Sequence, residues 1–444
     1  MKLMKFGKAL LMSALSAGLM LGVTSCVRGY TVGYLYVTEV KTADSSENGL
    51  ITGYKIDHNT GKLTVINGMP VSSGGANPER AVLLSGSRFV YVLNKGVKGS
   101  DGNYTGANIT QFAVAGNGSL SSVQTFTTIR GTNPFRMIAD GSGSHIYVLS
   151  QYAPTSSSGG EVPAATACPA ILSSANCGAI TAFSVDSNTG RLSIVTNAAG
   201  TASLGQTLTY FPVPQNPIDF TISSSYLLTI SNTPATTNGT GETVYPYSYS
   251  STSGQLTVNP ADALSDVTAA TAIQTAGSYV YVMDNEPGST SAKSQILPYS
   301  VGTNGALTAV SSEAIADDSS MAKPVRLTLD SKGKYLYVVN AGNNTTSNST
   351  TEAGIASYVL NNPYQPSPIK NEVSLSGGSG PRCIIQDPSN QYFYEANYND
   401  STITAQWWNA NTGALVSLTD HTKAPSSYTL DGPATWCIVN GRTN

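Results

Sequence analysis

Charge is what this sequence has least of. Only 11% of its 444 residues are Asp, Glu, Lys or Arg, and the formal net charge is -3. A nucleic-acid surface needs Lys and Arg clustered on one face, so the composition leaves no footprint for DNA or RNA. Histidine is scarcer still, with His58, His145 and His421 the three in the chain. No group of residues has the spacing of a zinc site, and no Asp/Asn/Gly loop reads as an EF-hand, so no metal is implied. No Gly-x-Ser-x-Gly motif follows a strand and opens a helix, which excludes a serine-hydrolase elbow. The apolar stretch at residues 9–22 is too short to span a bilayer comfortably. What fills the chain instead is Ser, Thr, Asn and Gly, interleaved with Val and 24 tyrosines, a composition that reads as all-β. Disorder is the alternative for a chain rich in Ser and Gly; periodic Tyr-Val strands argue against it outside the loops.

The N-terminus reads as an address. Lys2, Lys5 and Lys8 precede the apolar stretch, which ends at Val23-Thr24-Ser25-Cys26. That tetrapeptide resembles a bacterial lipobox, which implies removal of residues 1–25, lipidation of Cys26 and a short tether over residues 26–33. The alternative is an ordinary secretory signal. A lipidated cysteine carries enough acyl chain for stable anchoring, at about 0.8 kcal/mol per buried CH₂. Val27 is not the aspartate that resembles an inner-membrane retention signal, so the expected location is the cell envelope, at the outer membrane, touching lipid only through the anchor. Four further cysteines suit an oxidising compartment. Cys168 and Cys177 are expected to close one loop, an insert at about residues 152–177.

The rest is one sentence rewritten. KPVRLTLDSKGKYLYVVN at residues 323–340 recurs as NPERAVLLSGSRFVYVLN at 77–94 and NPFRMIADGSGSHIYVLS at 133–150, with weaker copies at 216–232, 269–285 and 380–397. Each is a strand a, a tight turn and a strand b. A second sentence follows each: GLITGYKIDHNTGKLTVI at 49–66 and GAITAFSVDSNTGRLSIV at 178–195 are the clearest, two more strands, c and d, around an Asn-Thr-Gly turn. Tyr36, Tyr91, Tyr147, Leu228, Tyr281, Tyr337 and Tyr394 mark strand b. The chain starts on a strand b and ends on a strand a, residues 432–439. The last segment can therefore complete the first unit and close a ring with no exposed edge. The predicted fold is an all-β, seven-bladed β-propeller over residues 34–444, of four-stranded antiparallel blades. Cys383 and Cys437 then lie on neighbouring inner strands. A disulfide there would latch the ring at about 2–4 kcal/mol; two separate buried thiols are the alternative.

Tyr36-Val37-Thr38-Glu39, Tyr91-Val92-Leu93-Asn94 and Tyr337-Val338-Val339-Asn340 resemble the Tyr-Val-Thr-Asn repeats of seven-bladed lactonase-like propellers. That group includes 6-phosphogluconolactonases and carboxymuconate cyclases. The resemblance covers nearly all of the mature chain and implies the fold more than the activity.

The long b–c and d–a connections and the starts of the strands a share one end of the ring, the top, where function belongs. The residue two after the proline is Arg80, Arg136, Asp219, Arg326, Cys383 and Thr435. Three arginines at equivalent positions in so uncharged a chain could hold a carboxylate or phosphate, or an oxyanion formed in lactone cleavage. They could equally be structural ion pairs. Beside them come the ends of strand b: Asn94, Asp284, Asn340, Glu395 and Asn397. Asp284 or Glu395 is expected to activate water, with Asn94, Asp219, Asn340 and Asn397 lining the substrate. The three histidines are expected on the solvated surface, and Trp407 or Trp408 packs between blades. Two readings follow. One is a lactonase-like hydrolase for a small anionic sugar lactone. The other is a non-catalytic surface propeller binding a glycan, peptide or protein. Both call for a monomer and no cofactor.

Overall fold

In the computed structural model the described residues are 30–441, apart from 43, 85, 87, 159–160, 174–175, 198–203, 224, 233–241, 260–261, 265, 286–293, 311–314, 318–321, 343–352, 361–366, 369–373 and 376–377. The leader and Cys26 lie outside them.

Thr31–Asn444 forms one compact unit built from seven antiparallel sheets, the blades of a propeller. The first strand starts at Thr31, so residues 31–33 of the expected tether belong to it. Blade one has the order Ala434–Gly441, Thr31–Glu39, Asn48–Asp57, Leu63–Val65 from the axis outward. Its innermost strand is the C-terminal one, paired antiparallel with Val37 opposite Cys437. The ring therefore closes as its two unmatched ends predict. Blades two to seven repeat the order with first strands Pro78–Leu83, Thr132–Ala139, Pro217–Ile222, Ala270–Ala276, Pro324–Leu329 and Pro381–Gln386. In six blades a second short outer segment also pairs with the third strand, such as Val71–Ala76 in blade one.

The core is divided among the blade interfaces. Tyr34 and Tyr36 pack into blade two, whereas Leu35 and Val37, on the other face of the same strand, pack against blade seven. A second strand is thus buried on both faces, which is why it reads Tyr-Leu-Tyr-Val rather than alternating with polar residues. The repeated tyrosine also reaches across the interface. Its hydroxyl donates to the carbonyl of the turn glycine in the next blade: Tyr36 to Gly118 (2.7 Å), Tyr91 to Gly190 (2.6 Å), Tyr147 to Gly254 (3.2 Å), Tyr337 to Gly413 (2.9 Å) and Tyr394 to Gly61 (2.8 Å). That turn needs φ near +70°, as at Gly61 and Gly190, and leaves no room for a Cβ, which at Gly61 would sit 2.5 Å from the Tyr392 ring.

Both disulfides are formed. Cys383 and Cys437 join the innermost strands of blades seven and one, with Cα atoms 5.8 Å apart. Cys168 and Cys177 close the insert, where helix Ala164–Leu172 packs over blade three. His145 corrects the surface expectation. It is buried, and its Nδ1 lies 3.0 Å from Asp140 Oδ2. Its ring fills the space beside Gly254 of the next blade, so it occupies a tyrosine's place in the blade contact. His58 is half-buried and His421 exposed, the latter stacked on Trp407 with centroids 3.9 Å apart. Trp408 is buried and donates to Tyr337 across the blade interface (2.7 Å).

Candidate functional site

Every first strand carries a bulge one residue in. The pairing shifts between Pro78 and Arg80, Pro134 and Arg136, Pro217 and Asp219, Ala270 and Ala272, Pro324 and Arg326, and Pro381 and Cys383. A bulge puts two residues against one and re-aims the side chains around it. The residue entering each proline-led strand is held at positive φ, at Asn77, Asn133, Asn216, Lys323 and Gly380. Lys323 is the one among these with neither an amide side chain nor a glycine's freedom, which is local strain at the rim.

The bulges sort side chains onto two levels. The first bulge residue, Glu79, Ile218, Thr271, Val325, Arg382 or Thr435, lines a mouth cavity of about 610 Å³. The second lines the channel below it: Arg80, Arg136, Asp219, Arg326 and Trp436. In blade one Ala434 stands opposite Glu39 and Trp436 opposite Thr38, so Trp436, not Thr435, is the counterpart of the arginines. The strand begins at Ala434 rather than at Pro433, which displaces a count made from the proline.

Arg80 and Arg136 line both levels, whereas Arg326 lies in the channel and not at the mouth. Arg80 donates to Glu79 Oε1 (3.1 Å) and lies 4.1 Å over the Trp436 ring; Arg326 lies 3.8 Å from the same ring. Arg136 pairs with Asp219 (3.0 Å), whose other oxygen accepts from the Ile273 amide (3.3 Å). Burial disfavours the charged forms. It pushes Arg80 down to about 9, with Arg136 and Arg326 adding like-charge repulsion, and Arg326 down to about 10.

The mouth is rimmed by five cations, Arg80, Lys95, Arg136, Lys323 and Arg382, against two carboxylates, Asp44 and Glu79. Asp44 is occupied by the Tyr104 hydroxyl and by Lys98 (2.9 Å), contacts that hold its carboxyl below the usual range. Glu79 lies between Arg80 and, at 3.9 Å, Lys95. Lys95 covers the Tyr104 ring at 4.3 Å, and Arg382 covers Tyr398 at 5.0 Å. Sequence reasoning missed Glu79, Tyr104, Tyr398 and Trp436. The signal available for Glu79 was its place beside Arg80; a bulge that turns neighbours to different levels is not legible in a repeat.

The structure does not bring the strand-b ends to the arginines. Asp284 is fully buried; its Oδ1 accepts the amides of Thr268 (3.1 Å) and Ala269 (2.6 Å) and its Oδ2 accepts from Gln295 (2.9 Å). Glu39 holds the Asp431 and Gly432 amides in the same way (3.0 and 3.1 Å). Asn94 bonds Ser73 and Asn108, and Asn397 bonds Thr402 and Thr404. Asn340 is fully buried at the matching position, opposite Pro324. Glu39, Asn94 and Asp284 thereby pin the incoming connection to its blade. Glu395 sits two positions earlier than Asn397, at the place Val338 takes in blade six, with Gln406 at 3.5 Å. Among the described residues no group of three His, Cys, Asp or Glu side chains is placed to hold a metal.

No protein-family model matches the chain, and no curated protein does. Solved structures do. The periplasmic gluconolactonase of Pseudomonas aeruginosa superposes with a TM-score of 0.62 at 15% identity, covering 93% of this chain and 99% of its own. A protein from Lactobacillus plantarum gives 0.60 at 14%, covering 92% and 99%. A Bacteroides uniformis protein, named provisionally as a 6-phosphogluconolactonase, gives 0.59 at 14%, with the same coverage. The likeness is one of fold: the chain shares the propeller architecture of these proteins over nearly their whole length.

Proposed function

We propose that the mouth cavity binds a small anionic sugar lactone or related ester and opens it by attack of water. The observation that carries this reading is Glu79, a carboxylate exposed to the cavity and in contact with Arg80, with Arg136 on the same wall. The rim cations Lys95 and Arg382, each seated on a tyrosine ring, attract the anionic group. Glu79 takes the proton as the water oxygen bonds to the lactone carbonyl carbon. Arg80 and Arg136 stabilise the oxyanion that forms. Collapse of that intermediate breaks the ring C–O bond, and the expelled alkoxide recovers the proton. Asp284 and Glu395, sealed inside their blades, take no part. The likeness to a periplasmic gluconolactonase, the two disulfides and the lipobox-like Cys26 together support an enzyme anchored by lipid in the cell envelope, at the outer membrane.

One observation favours a binding module instead: Glu79 is already shared between Arg80 and Lys95, and a general base must be released to act. A pH-indicator assay over sugar and acyl lactones separates the two, using the chain from Val27, which retains the whole compact unit. Turnover should fall about 10²-fold or more in Glu79→Gln and in Arg136→Ala. Absence of turnover across the panel, from protein that melts cooperatively, would leave the glycan- or protein-binding reading.

A further inference from the structure

Below the mouth lies a smaller chamber of about 270 Å³ whose charged lining is Arg80, Arg136, Arg326 and Asp219. The first two arginines have carboxylate partners, Glu79 above and Asp219 beside. Arg326 has none among the described residues. Its Nε donates to Thr328 Oγ1 (3.1 Å), Trp436 covers one face of the guanidinium, and its two terminal nitrogens are left without a partner there. Arg80 Nε is likewise buried with no hydrogen bond among the described residues. A partly desolvated guanidinium is costly unless an anion meets it, and the other polar side chains of the wall, Thr221, Gln274 and Thr275, carry no charge. Three in one small chamber also repel each other.

We propose that this chamber holds a small inorganic oxyanion of the phosphate or sulfate class, gripped by the terminal nitrogens of Arg326 with Arg80 and Arg136 as the other donors. The planar fork of an arginine matches two oxygens of such an ion at once, which a spherical halide cannot exploit. The chamber has room for the ion and a few waters. Arg326 also lines the cavity of about 540 Å³ that includes Ser331 and Asn390, which gives the ion a way in that avoids the mouth. The site does not depend on lactone hydrolysis, and an inactive protein would have it too.

The test is calorimetric titration of the full-length chain with inorganic phosphate, then sulfate and chloride, at constant ionic strength and with no lactone present. The expected result is one saturable phosphate or sulfate site per chain, with chloride at least tenfold weaker. Arg326→Gln should weaken it tenfold or more, and Arg326→Lys, which keeps the charge but loses the fork, should fall between. Should Arg326→Gln fail to melt cooperatively, Thr328→Val releases the guanidinium from its tether and should weaken binding severalfold. Absence of saturable oxyanion binding, equal affinity for chloride, or unchanged affinity in the folded variants would each overturn the proposal.

Discussion

Glu39 shows how a single residue ties the ring's closure to pH. Its carboxyl is buried at the end of the first strand and accepts the Asp431 and Gly432 amides, which lead into the closing strand. Burial pushes its pKa up to about 7, against a lowering by those hydrogen bonds. Folding therefore favours the neutral form. The stability this contributes is full below the ordinary carboxyl pKa of 4.5 and is lost as pH rises through about 7. Glu39→Gln keeps an acceptor for the two amides without the charge. It should match the wild type near pH 5 and exceed it near pH 8 by about 1–3 kcal/mol in denaturant titrations. A constant difference across that range would show that Glu39 does not titrate in the fold. At this scale sequence reading was half successful. It located the arginines, because a repeat marks equivalent positions. It expected Asp284 and Glu395 beside the arginines, whereas both are buried within their blades, and a repeat does not show which way a strand-end side chain turns.

Among elements, the second strand and the turn of the next blade explain each other. The tyrosine hydroxyl supplies a donor for a buried turn carbonyl, and the turn glycine makes room for the ring. Tyr91→Phe leaves the Gly190 carbonyl without that donor and should cost about 1–2 kcal/mol. Tyr394→Phe, at another interface, should cost a similar amount, and the two should add within about 0.5 kcal/mol in chemical denaturation. Strong coupling between them would mean that the interfaces do not act independently. The tyrosines and the glycine turns were both legible as repeats. Their partnership was not, since the two ends of each bond lie in different units, 76 residues apart for Tyr337 and Gly413 and 333 for Tyr394 and Gly61. Likewise the bulge that separates Glu79 from Arg80 shows only in the strand pairing.

For the whole molecule, closure is the governing event. The last strand completes the first blade, and the Cys383–Cys437 bridge ties the ends of the ring. By the chain-entropy account a link spanning 54 residues is worth about 4 kcal/mol, and one spanning nine, as in Cys168–Cys177, about 2.5 kcal/mol. Replacing both cysteines of a pair by alanine should thus cost more at the ring's seam than in the insert, as read from urea midpoints. The reverse order would show that the hydrogen-bonded closing strand holds the seam without the bridge. The blade count, the strand order, the closing strand and the Cys168–Cys177 pair followed from the sequence alone, whereas the Cys383–Cys437 bridge was one of two readings until the structure showed it. Each is written in local periodicity, in turn chemistry or in the unmatched ends of the chain. The depth of each arginine, the exposure of Glu79, the stacking of Arg80 and Arg326 on Trp436 and the burial of His145 were decided only by the tertiary structure. They depend on bulge register and on side chains from different blades meeting at the axis, and no stretch of sequence contains both halves of such a contact.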